Sequence, residues 1–165
     1  MIRQELLKNL RPGMTALDIG AGDLSFARSL LQKGAKVTAI DIKKPKHIPR
    51  ALDFEHTDLI DFHPSGMYDR IYALDVFQFC EKSVILQHVM PHLFLHLRPG
   101  GIIFVSTFSA DPEPPLPIPV PSHYALEDFL LCGPAMYAAQ GTERIRGKDV
   151  SERLFHFIDY VAKKV

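Results

Sequence analysis

Short apolar runs alternate along this chain with segments whose apolar residues recur at helical spacing. Four runs have the composition of buried strands: residues 14–19, 36–41, 68–75 and 102–108. A shorter run near 53–57 predicts one more strand. Runs that are apolar throughout are typical of strands covered on both faces, as in parallel sheets. The alternation therefore predicts an α/β domain built on a mostly parallel sheet.

The segments between these runs carry the helical pattern. Apolar side chains at helical spacing predict four helices, over residues 2–10, 24–33, 82–97 and 124–131. Asp23 is expected to be the N-cap of the second helix, and Gly34 is expected to end it. Pro91 lies inside the third helix and predicts a kink or a restart there. Residues 43–53, with three lysines and two prolines, are predicted to be a loop or a poorly formed helix.

The last third of the chain has a different pattern. Residues 112–121 hold six prolines, which exclude a helix or an interior strand and predict a stiff, extended loop. Two apolar segments, 135–145 and 150–162, flank residues 146–149. That gap is too short for a crossover helix, so it predicts an antiparallel hairpin. The predicted fold is a single Rossmann-like α/β domain over residues 1–165, with a mostly parallel, doubly wound sheet that ends in an antiparallel β-hairpin.

Composition narrows the classes of partner. The 165 residues include 19 basic and 19 acidic side chains, for a net charge of zero, which argues against nucleic acid as the main partner. Cys80 and Cys132 are far apart in the sequence and are expected to be reduced thiols of a cytoplasmic protein. No signal peptide is expected, and no apolar run is long enough to span a membrane. We expect a cytoplasmic monomer or weak homodimer that binds small molecules.

A glycine turn and an acidic residue carry the strongest functional signal. The first predicted strand ends in Gly20-Ala21-Gly22, and the second ends in Asp41. In βαβ units that bind nucleosides, glycines let the backbone approach the ligand. An acidic residue about 20 positions further on accepts hydrogen bonds from the ribose hydroxyls. The pattern predicts a nucleoside cofactor at the carboxyl edge of the sheet and leaves its identity open.

Five motifs in order resemble those of the class I S-adenosylmethionine-dependent methyltransferases. They are residues 17–22 (LDIGAG), 37–41 (VTAID), 56–59 (HTDL), 68–71 (YDRI) and 97–101 (LRPGG). The resemblance covers roughly residues 5–163. Within the family, the length and the terminal hairpin look most like the tellurite-resistance (TehB-type) methyltransferases.

The resemblance implies a role for each matching residue. Four residues would line the methionine end of the cofactor: Asp18, Gly20, Ala21 and Gly22. Asp41 would bind both ribose hydroxyls, and Ile42 would pack on the adenine. Asp58 would accept a hydrogen bond from the adenine amino group, in preference to Asp61, and the backbone of Leu59 would read the ring edge. Three residues would line the sulfonium end and the acceptor pocket: Leu74, Asp75 and Val76.

Two positions help to distinguish the candidate cofactors. Leu24 stands where the methyltransferases usually have a third glycine, and Ser25 stands where the dinucleotide fingerprint has its third. A pyrophosphate must lie almost on the backbone at a helix N-terminus, whereas S-adenosylmethionine has no phosphate. The pattern therefore favours S-adenosylmethionine. An NAD-dependent oxidoreductase is the alternative, as is a catalytically silent domain that binds the cofactor or a partner.

The nature of the methyl acceptor decides which catalytic groups are needed. A thiolate or a chalcogen oxyanion such as tellurite is already nucleophilic, whereas a hydroxyl or an amine must lose a proton. Asp75, His123 and Glu143 are candidate bases for that step. The resemblance to the tellurite-resistance proteins aligns Arg144 with an arginine that holds the oxyanion, although Glu143 beside it disfavours an anion. Asp75 and Arg144 are the candidate catalytic residues of the predicted small-molecule methyltransferase.

Further residues have both a structural and a functional interpretation. His88, His92 and His96 recur every four residues, a spacing that metal ligands use. No carboxylate or cysteine pattern completes a set, so a partly exposed helix face is expected and no metal is predicted. The proline-rich loop is expected to form a wall of the acceptor pocket, with a surface loop or a recognition-domain ligand as alternatives. Three phenylalanines beyond strand ends are expected in the core, with one or two bordering the acceptor site: Phe77, Phe79 and Phe108.

Overall fold

A seven-stranded sheet organises the computed structural model, which describes residues 6–108, 121–132, 137–146 and 155–164. At residue 108 and at residues 131–159 no side chain is described. The strands are β1 (Thr15–Ile19), β2 (Lys36–Asp41), β3 (Leu52–His56), β4 (Tyr68–Leu74), β5 (Leu97–Phe108), β6 (Tyr137–Arg146) and β7 (Phe155–Lys164). Helix α1 is Ser25–Gln32 and helix α3 is Leu126–Cys132. Between them, α2 begins with Lys82–Val84, continues through the π-helical turn Ile85–Val89 and ends with Met90–Leu95.

The strand order is β3-β2-β1-β4-β5-β7-β6. Strands β1 to β5 pair in parallel, and β7 runs antiparallel to both β5 and β6. The chain order reverses between β1 and β4, which places a crevice at the carboxyl ends of these two strands. The predicted α/β fold with a closing antiparallel hairpin is confirmed.

Side chains on the two faces of the sheet form two buried clusters. Ala16, Val37 and Tyr72 point to the face that α1 covers, and Leu30 of that helix packs with them. Alternate residues of the same strands point to the other face, where α2 and α3 contribute to the second cluster. Because both faces are covered, the central strands are apolar on both sides, as the continuous runs predicted. Among the described residues, no helix has the length and apolar character to cross a membrane.

Helix α1 begins one residue later than predicted, and its N-cap is not Asp23. The N-cap is Leu24, with φ 65° and ψ 13°, and no side chain caps the helix at that position. Asp23 Oδ1 instead accepts the backbone N–H of Ser25 at 2.9 Å, a local turn that competes with the helix start. The predicted end holds, since Gly34 follows the last turn with φ 81°.

Two further boundaries differ from the predictions. The helix predicted over 82–97 ends at Leu95. Its irregularity is the π-helical turn Ile85–Val89, which directly precedes the last helical segment, Met90–Leu95. Strand β5 begins at Leu97, because Leu97 already pairs with Tyr68. The next pair joins Ile102 to Arg70, so residues 98–101 form an irregularity within the strand, where a separate turn was predicted.

Some predicted elements lie partly outside the described residues. Of the helix predicted over 2–10, residues 1–5 are not described and residues 7–9 form a turn. The proline-rich loop 112–121 falls almost wholly outside the described part. The third strand, predicted near 53–57, begins one residue earlier, at Leu52. Residues 42–51 form a loop, as predicted for the lysine- and proline-rich segment.

Candidate active site

The glycine turn after β1 is held in place by the end of β2. The carbonyl oxygen of Ile40 accepts the N–H groups of Gly20 at 2.9 Å and Ala21 at 3.0 Å. The carboxylate of Asp41 accepts the N–H of Gly22 at 2.8 Å. Three consecutive amides of the turn therefore point towards β2, and the turn and the acidic residue form a single unit.

The two glycines of the turn are required for different reasons. At Gly20, an added Cβ would lie 2.7 Å from Cγ2 and 2.8 Å from Cβ of Val76, closer than packed carbon atoms approach. At Gly22, no atom lies within 4 Å of an added Cβ. Both residues have positive φ, 69° and 53°. Gly20 thus allows the turn to pack against the end of β4, whereas Gly22 leaves open space beside the Asp41 carboxylate.

Leu24 adopts the left-handed conformation at the position where the family usually has a third glycine. Its side chain is fully buried and packs in the α1 cluster. A residue with a Cβ at positive φ is strained by about 1 kcal/mol, and burial of a leucine side chain offsets that cost. The chain therefore adopts a left-handed conformation at this position without a glycine.

Both carboxylate oxygens of Asp41 accept backbone hydrogen bonds. Oδ1 accepts the N–H of Lys43 at 2.7 Å, while Oδ2 accepts that of Gly22. Ile42 follows Asp41 in the sequence and exposes 61% of its surface. Such exposure is unusual because isoleucine is among the residue types most often buried. The carbonyl oxygen of Ile42 lies 2.9 Å from Nε2 of His56 at the end of β3. The structure therefore presents a carboxylate and an apolar side chain next to each other at the tip of β2.

Asp58 and Leu59 follow β3 on the same edge of the sheet. Oδ1 of Asp58 accepts the N–H of Ile60 at 3.0 Å, and the carboxylate is exposed. Leu59 is buried, and the contact predicted for its backbone stays a prediction. Burial, and after it the negative charge of Asp58, raises the pKa of the half-buried Cys80 thiol. Asp58 thus lies near the segment that follows β4, whereas Asp61 is exposed and contacts Asp58 through its backbone.

Asp75 has a strained backbone at the tip of β4. Its φ is 60°, a region that aspartate occupies at a cost. Its N–H donates to the carbonyl oxygen of Ser106 at 2.8 Å, and the Ser106 hydroxyl donates to its Oδ1 at 3.2 Å. The flanking residues Leu74 and Val76 are half-buried. Ser106 thus binds both the backbone N–H and the side chain of Asp75. In the sequence, nothing distinguished Ser106 from the other residues of the predicted fifth strand.

A second polar pair joins the segment after β4 to β5. Gln78 is only 2% exposed, and its Oε1 accepts the hydroxyl of the buried Thr107 at 3.1 Å. The carbonyl oxygen of Gln78 accepts the N–H of Ser122 at 3.3 Å. The hydroxyl of Tyr124 donates to the carbonyl oxygen of Phe77 at 3.1 Å. Residues 77–79 therefore hold residues 122–124 close to the end of β4. Sequence patterns did not predict these contacts.

Asp18 lies deeper than the other candidate cofactor residues. It is only 3% exposed and points to the α1 face of the sheet. Burial raises the pKa of the neighbouring Tyr72 phenol above its ordinary value, the Arg70 charge opposes this, and Asp18 adds to it. Asp18 is therefore a buried carboxylate beneath the edge of the sheet, and of the three turn residues only Gly22 is exposed.

The helical histidines pack with a fourth histidine. The His92 ring lies 4.7 Å from that of His96 and 5.9 Å from that of His63, between ring centroids. His88 is exposed, and His92 and His96 are half-buried. Within the described ranges, no group of three histidine, cysteine or acidic residues has the geometry to hold a metal ion. His63, His88 and His92 line part of a cavity of about 380 Å³ between α2 and residues 59–63.

The structure separates the three candidate phenylalanines. Phe77 is fully buried, whereas Phe79 exposes 53% of its surface beyond the end of β4. The side chain of Phe108 lies outside the described part, as do those of Glu143 and Arg144. The backbone of Arg144 is placed on β6, paired with Phe157.

Comparison with known proteins agrees with this architecture. A family model described as "Methyltransferase domain" matches residues 2–160. The ubiquinone biosynthesis O-methyltransferase of Sodalis glossinidius is 26% identical over 125 residues, which cover 69% of this chain and 49% of that protein. That of Nitrosococcus oceani is 28% identical over 138 residues, covering 76% of this chain and 57% of that protein. The chain thus spans about half the length of these curated relatives.

Solved structures share the fold. TehB from Haemophilus influenzae superposes with a TM-score of 0.80 at 16% identity, over 99% of this chain and 62% of that one. Magnesium protoporphyrin IX methyltransferase from Synechocystis, with bound SAH, gives 0.73 at 19% identity, over 99% and 80%. With the family model matching nearly its whole length, this chain belongs to the methyltransferase domain family, and the predicted resemblance to class I S-adenosylmethionine-dependent methyltransferases is confirmed.

Proposed function

We propose that this chain binds S-adenosylmethionine at the carboxyl ends of β1 to β4 and transfers its methyl group to a hydroxyl group of a small molecule. The observation that carries this proposal is the contact between the Gly22 amide and the Asp41 carboxylate, with open space at Gly22. A carboxylate at the tip of β2 suits the vicinal hydroxyls of a ribose, and exposed Ile42 offers an apolar face to a purine ring.

Each remaining cofactor residue is assigned a role in this proposal. Asp58 accepts a hydrogen bond from the adenine amino group, and the backbone of Leu59 contacts the ring edge. Four residues surround the methionine end: Asp18, Gly20, Ala21 and Gly22. Leu74, Asp75 and Val76 border the sulfonium. When bound, the cofactor supplies an activated methyl group, so these residues need only orient it and exclude water.

A hydroxyl acceptor is favoured over an anionic one by the charges near β4. Residues 74–80 and 105–107, which border the acceptor side, include Asp75 and no lysine or arginine. A chalcogen oxyanion such as tellurite would meet that carboxylate with no lysine or arginine among these residues. The nearby Lys82 is paired with Asp128, so Arg144 would have to provide the positive charge. The curated relatives are O-methyltransferases by name, which also favours oxygen as the acceptor atom.

Calorimetric titration with S-adenosylmethionine and with NAD tests the cofactor. We expect heat on adding S-adenosylmethionine and none on adding NAD. Leu24 and Ser25 stand in place of the glycines that let a pyrophosphate approach the backbone at the helix N-terminus. Tighter binding of NAD would restore the oxidoreductase alternative.

A radiolabelled-methyl screen over phenols, thiols, selenite and tellurite then tests the acceptor. Preferential labelling of phenols is the expected result. Preferential labelling of tellurite would contradict the charge argument and assign a role to Arg144. Binding of S-adenosylmethionine with no labelled product from any acceptor would favour a catalytically silent domain.

A further inference from the structure

His123 is held at the acceptor side of the site by its two neighbours in sequence. The N–H of Ser122 donates to the carbonyl oxygen of Gln78 at 3.3 Å. The hydroxyl of Tyr124 donates to the carbonyl oxygen of Phe77 at 3.1 Å. Residues 77–79 begin two positions after Asp75, so both anchors place His123 beside the end of β4. The residues on both sides of His123 are therefore held by residues that border the proposed acceptor pocket.

The imidazole of His123 has an unused hydrogen-bonding nitrogen. Its Nδ1 is buried and has no hydrogen-bond partner among the described residues. Ser122 and Tyr124 are themselves buried, while His123 is half-buried. A buried polar atom without a partner is unfavourable, and in a native structure it calls for an explanation such as a bound water, an ion, a ligand or a catalytic role. A hydroxyl group bound beside residues 77–79 would supply the missing partner.

We propose that His123 accepts the proton of the acceptor hydroxyl during methyl transfer; the proposal rests on the function proposed above. In the balanced step, an O–CH3 bond forms as the S–CH3 bond of the sulfonium breaks, and the bonding pair stays on sulfur. The hydroxyl proton passes to Nδ1 of His123, and the imidazolium loses it to water once the methylated product has left the site. His123 is thereby a catalytic residue, because it contacts the reacting hydroxyl.

Asp75 is less suited to this step than His123. Its Oδ1 already accepts the Ser106 hydroxyl, and a carboxylate has an ordinary pKa of about 4, against about 6.5 for imidazole. A phenolic hydroxyl ionises near pH 10, so proton transfer to imidazole is less uphill than transfer to carboxylate. A base whose pKa lies near the working pH is the more effective catalyst. Asp75 then orients the acceptor and stabilises the imidazolium.

The other titratable groups on the packed elements are few. Cys80 and Tyr124 both have raised pKa values, chiefly through burial, so both are neutral at neutral pH. Lys82 and Asp128 form an ion pair with each other, and the Lys82 ammonium lies 5.8 Å from the centre of the Tyr124 ring. Asp75 and the exposed carboxylates of Glu81 and Glu127 complete the other titratable groups of residues 75–82 and 122–128.

An ionisation probe tests the proposal without turnover. Methyl 4-hydroxybenzoate is an uncharged phenol that is mostly protonated in neutral water, and its absorbance shifts to longer wavelength on ionisation. It is added to the protein saturated with S-adenosylhomocysteine, and in the same way to the variants His123→Gln, His123→Ala and His88→Gln. His88 is an exposed residue of α2 and serves as the matched control. We expect a larger phenolate fraction in the wild type and in His88→Gln than in either His123 variant.

Calorimetry with S-adenosylhomocysteine separates failure of this proposal from failure of the proposed function. A wild type that binds the cofactor product but neither binds nor ionises the phenol overturns the role of His123 and leaves the cofactor site standing. An equal phenolate band in the His123 variants overturns it too. A wild type that does not bind S-adenosylhomocysteine contradicts the proposed function itself. Thermal unfolding of each variant shows whether it is folded. If His123→Ala does not fold, the comparison is made with His123→Gln alone.

Kinetics with a matched pair of acceptors provide the second readout. Methyl 4-mercaptobenzoate has the same frame, but its thiol is ionised at neutral pH and needs no base. We expect His123→Ala to lower kcat for the phenol by about 10²- to 10⁴-fold and to leave kcat for the thiol nearly unchanged. Added imidazole should restore part of the phenol rate. An equal loss for both acceptors would indicate a purely structural residue and overturn the proposal.

Discussion

The carboxylate of Asp41 accepts the amide N–H of Gly22 at 2.8 Å, so the tip of β2 and the glycine turn after β1 are in direct contact. The residues are 19 positions apart in the sequence, with helix α1 between them. A ribose that binds Asp41 must share this carboxylate with Gly22 or displace the Gly22 amide from it. In the proposed site, affinity for a nucleoside cofactor and the shape of the turn are therefore coupled through one side chain.

Replacing Asp41 should weaken cofactor binding with little effect on folding. Asp41→Asn keeps an oxygen that can accept the Gly22 amide but loses the charge that strengthens hydrogen bonds to the ribose hydroxyls. We expect the Kd for S-adenosylmethionine to rise at least tenfold, about 1.4 kcal/mol, and at least as much in Asp41→Ala. Asp53→Asn on exposed β3 is the matched control. Calorimetry that finds the same Kd in Asp41→Ala as in the wild type would refute the ribose site.

Asp58 and Asp61 form a matched pair for the adenine contact. They are three residues apart, both exposed, and linked through the Asp61 backbone. We expect Asp58→Asn to raise the Kd for S-adenosylmethionine several-fold, because an asparagine amide can present a donor to the adenine amino group, where the carboxylate only accepts. Asp61→Asn should leave it unchanged. The reverse order in calorimetric titrations would move the adenine contact to Asp61.

Gly13 is an internal control for the glycine turn. Gly13 and Gly22 both have positive φ, 84° and 53°, and neither has an atom within 4 Å of an added Cβ. Alanine at either position should cost about 1 kcal/mol of stability through backbone strain. Only Gly22→Ala should also weaken cofactor binding, because its methyl group enters the space beside Asp41. Denaturant unfolding measures the stability of the two variants, and calorimetry measures their affinity for the cofactor. Equal cofactor affinity in the two variants would contradict the role of Gly22.

Gly20→Ala should be more destabilising than either of these substitutions. It adds the contact with Val76 at 2.7 Å to the strain of positive φ, and overpacking of this kind typically costs 1–3 kcal/mol. A Gly20→Ala, Val76→Ala double variant should recover part of that loss. Denaturant unfolding of the single and double variants measures the coupling, and strictly additive effects would show that the contact is not the cause.

Substitutions at Leu24 separate the cost of strain from the benefit of burial. Leu24→Ala removes most of a fully buried side chain and keeps a Cβ at φ 65°, so we expect a loss of about 3 kcal/mol. Leu24→Gly removes one carbon more but relieves about 1 kcal/mol of strain. Glycine should therefore be no more destabilising than alanine, which urea denaturation tests. A clearly less stable glycine variant would argue against strain at this position.

The histidine cluster predicts a pH-dependent stability. Burial, followed by the charges of His96 and His63, lowers the pKa of His92 below its ordinary value of about 6.5. The unfolded chain therefore binds more protons than the folded one between the two pKa values, and stability falls as the pH drops from about 6.5 through that interval. His92→Gln should flatten this dependence, whereas His47→Gln in the exposed loop should not. Thermal unfolding across this pH range provides the measurement, and equal slopes in all three proteins would contradict it.

Local patterns were sufficient to predict most of the sheet and the glycine turn. The apolar runs placed β1, β2, β4 and the core of β5 because strands buried on both faces must be apolar throughout. Asp41 was recognisable because its distance from the turn follows from the length of one βαβ unit. Asp23 was assigned the N-cap wrongly, because its preference for caps also serves the local turn to Ser25, and burial of Leu24 decided between the two.

The sequence by itself determined the fold class and the edge of the sheet at which a nucleoside would bind, because periodicity and spacing act over one structural unit. Only the tertiary structure decided which side chains meet there. Ser106 reaches Asp75, Gln78 reaches Thr107 and Val76 closes on Gly20 through contacts between residues that are 29 to 56 positions apart. The burial of His123 Nδ1 was likewise decided by the tertiary structure. It depends on how separate elements pack, and no periodic pattern in the sequence predicts it.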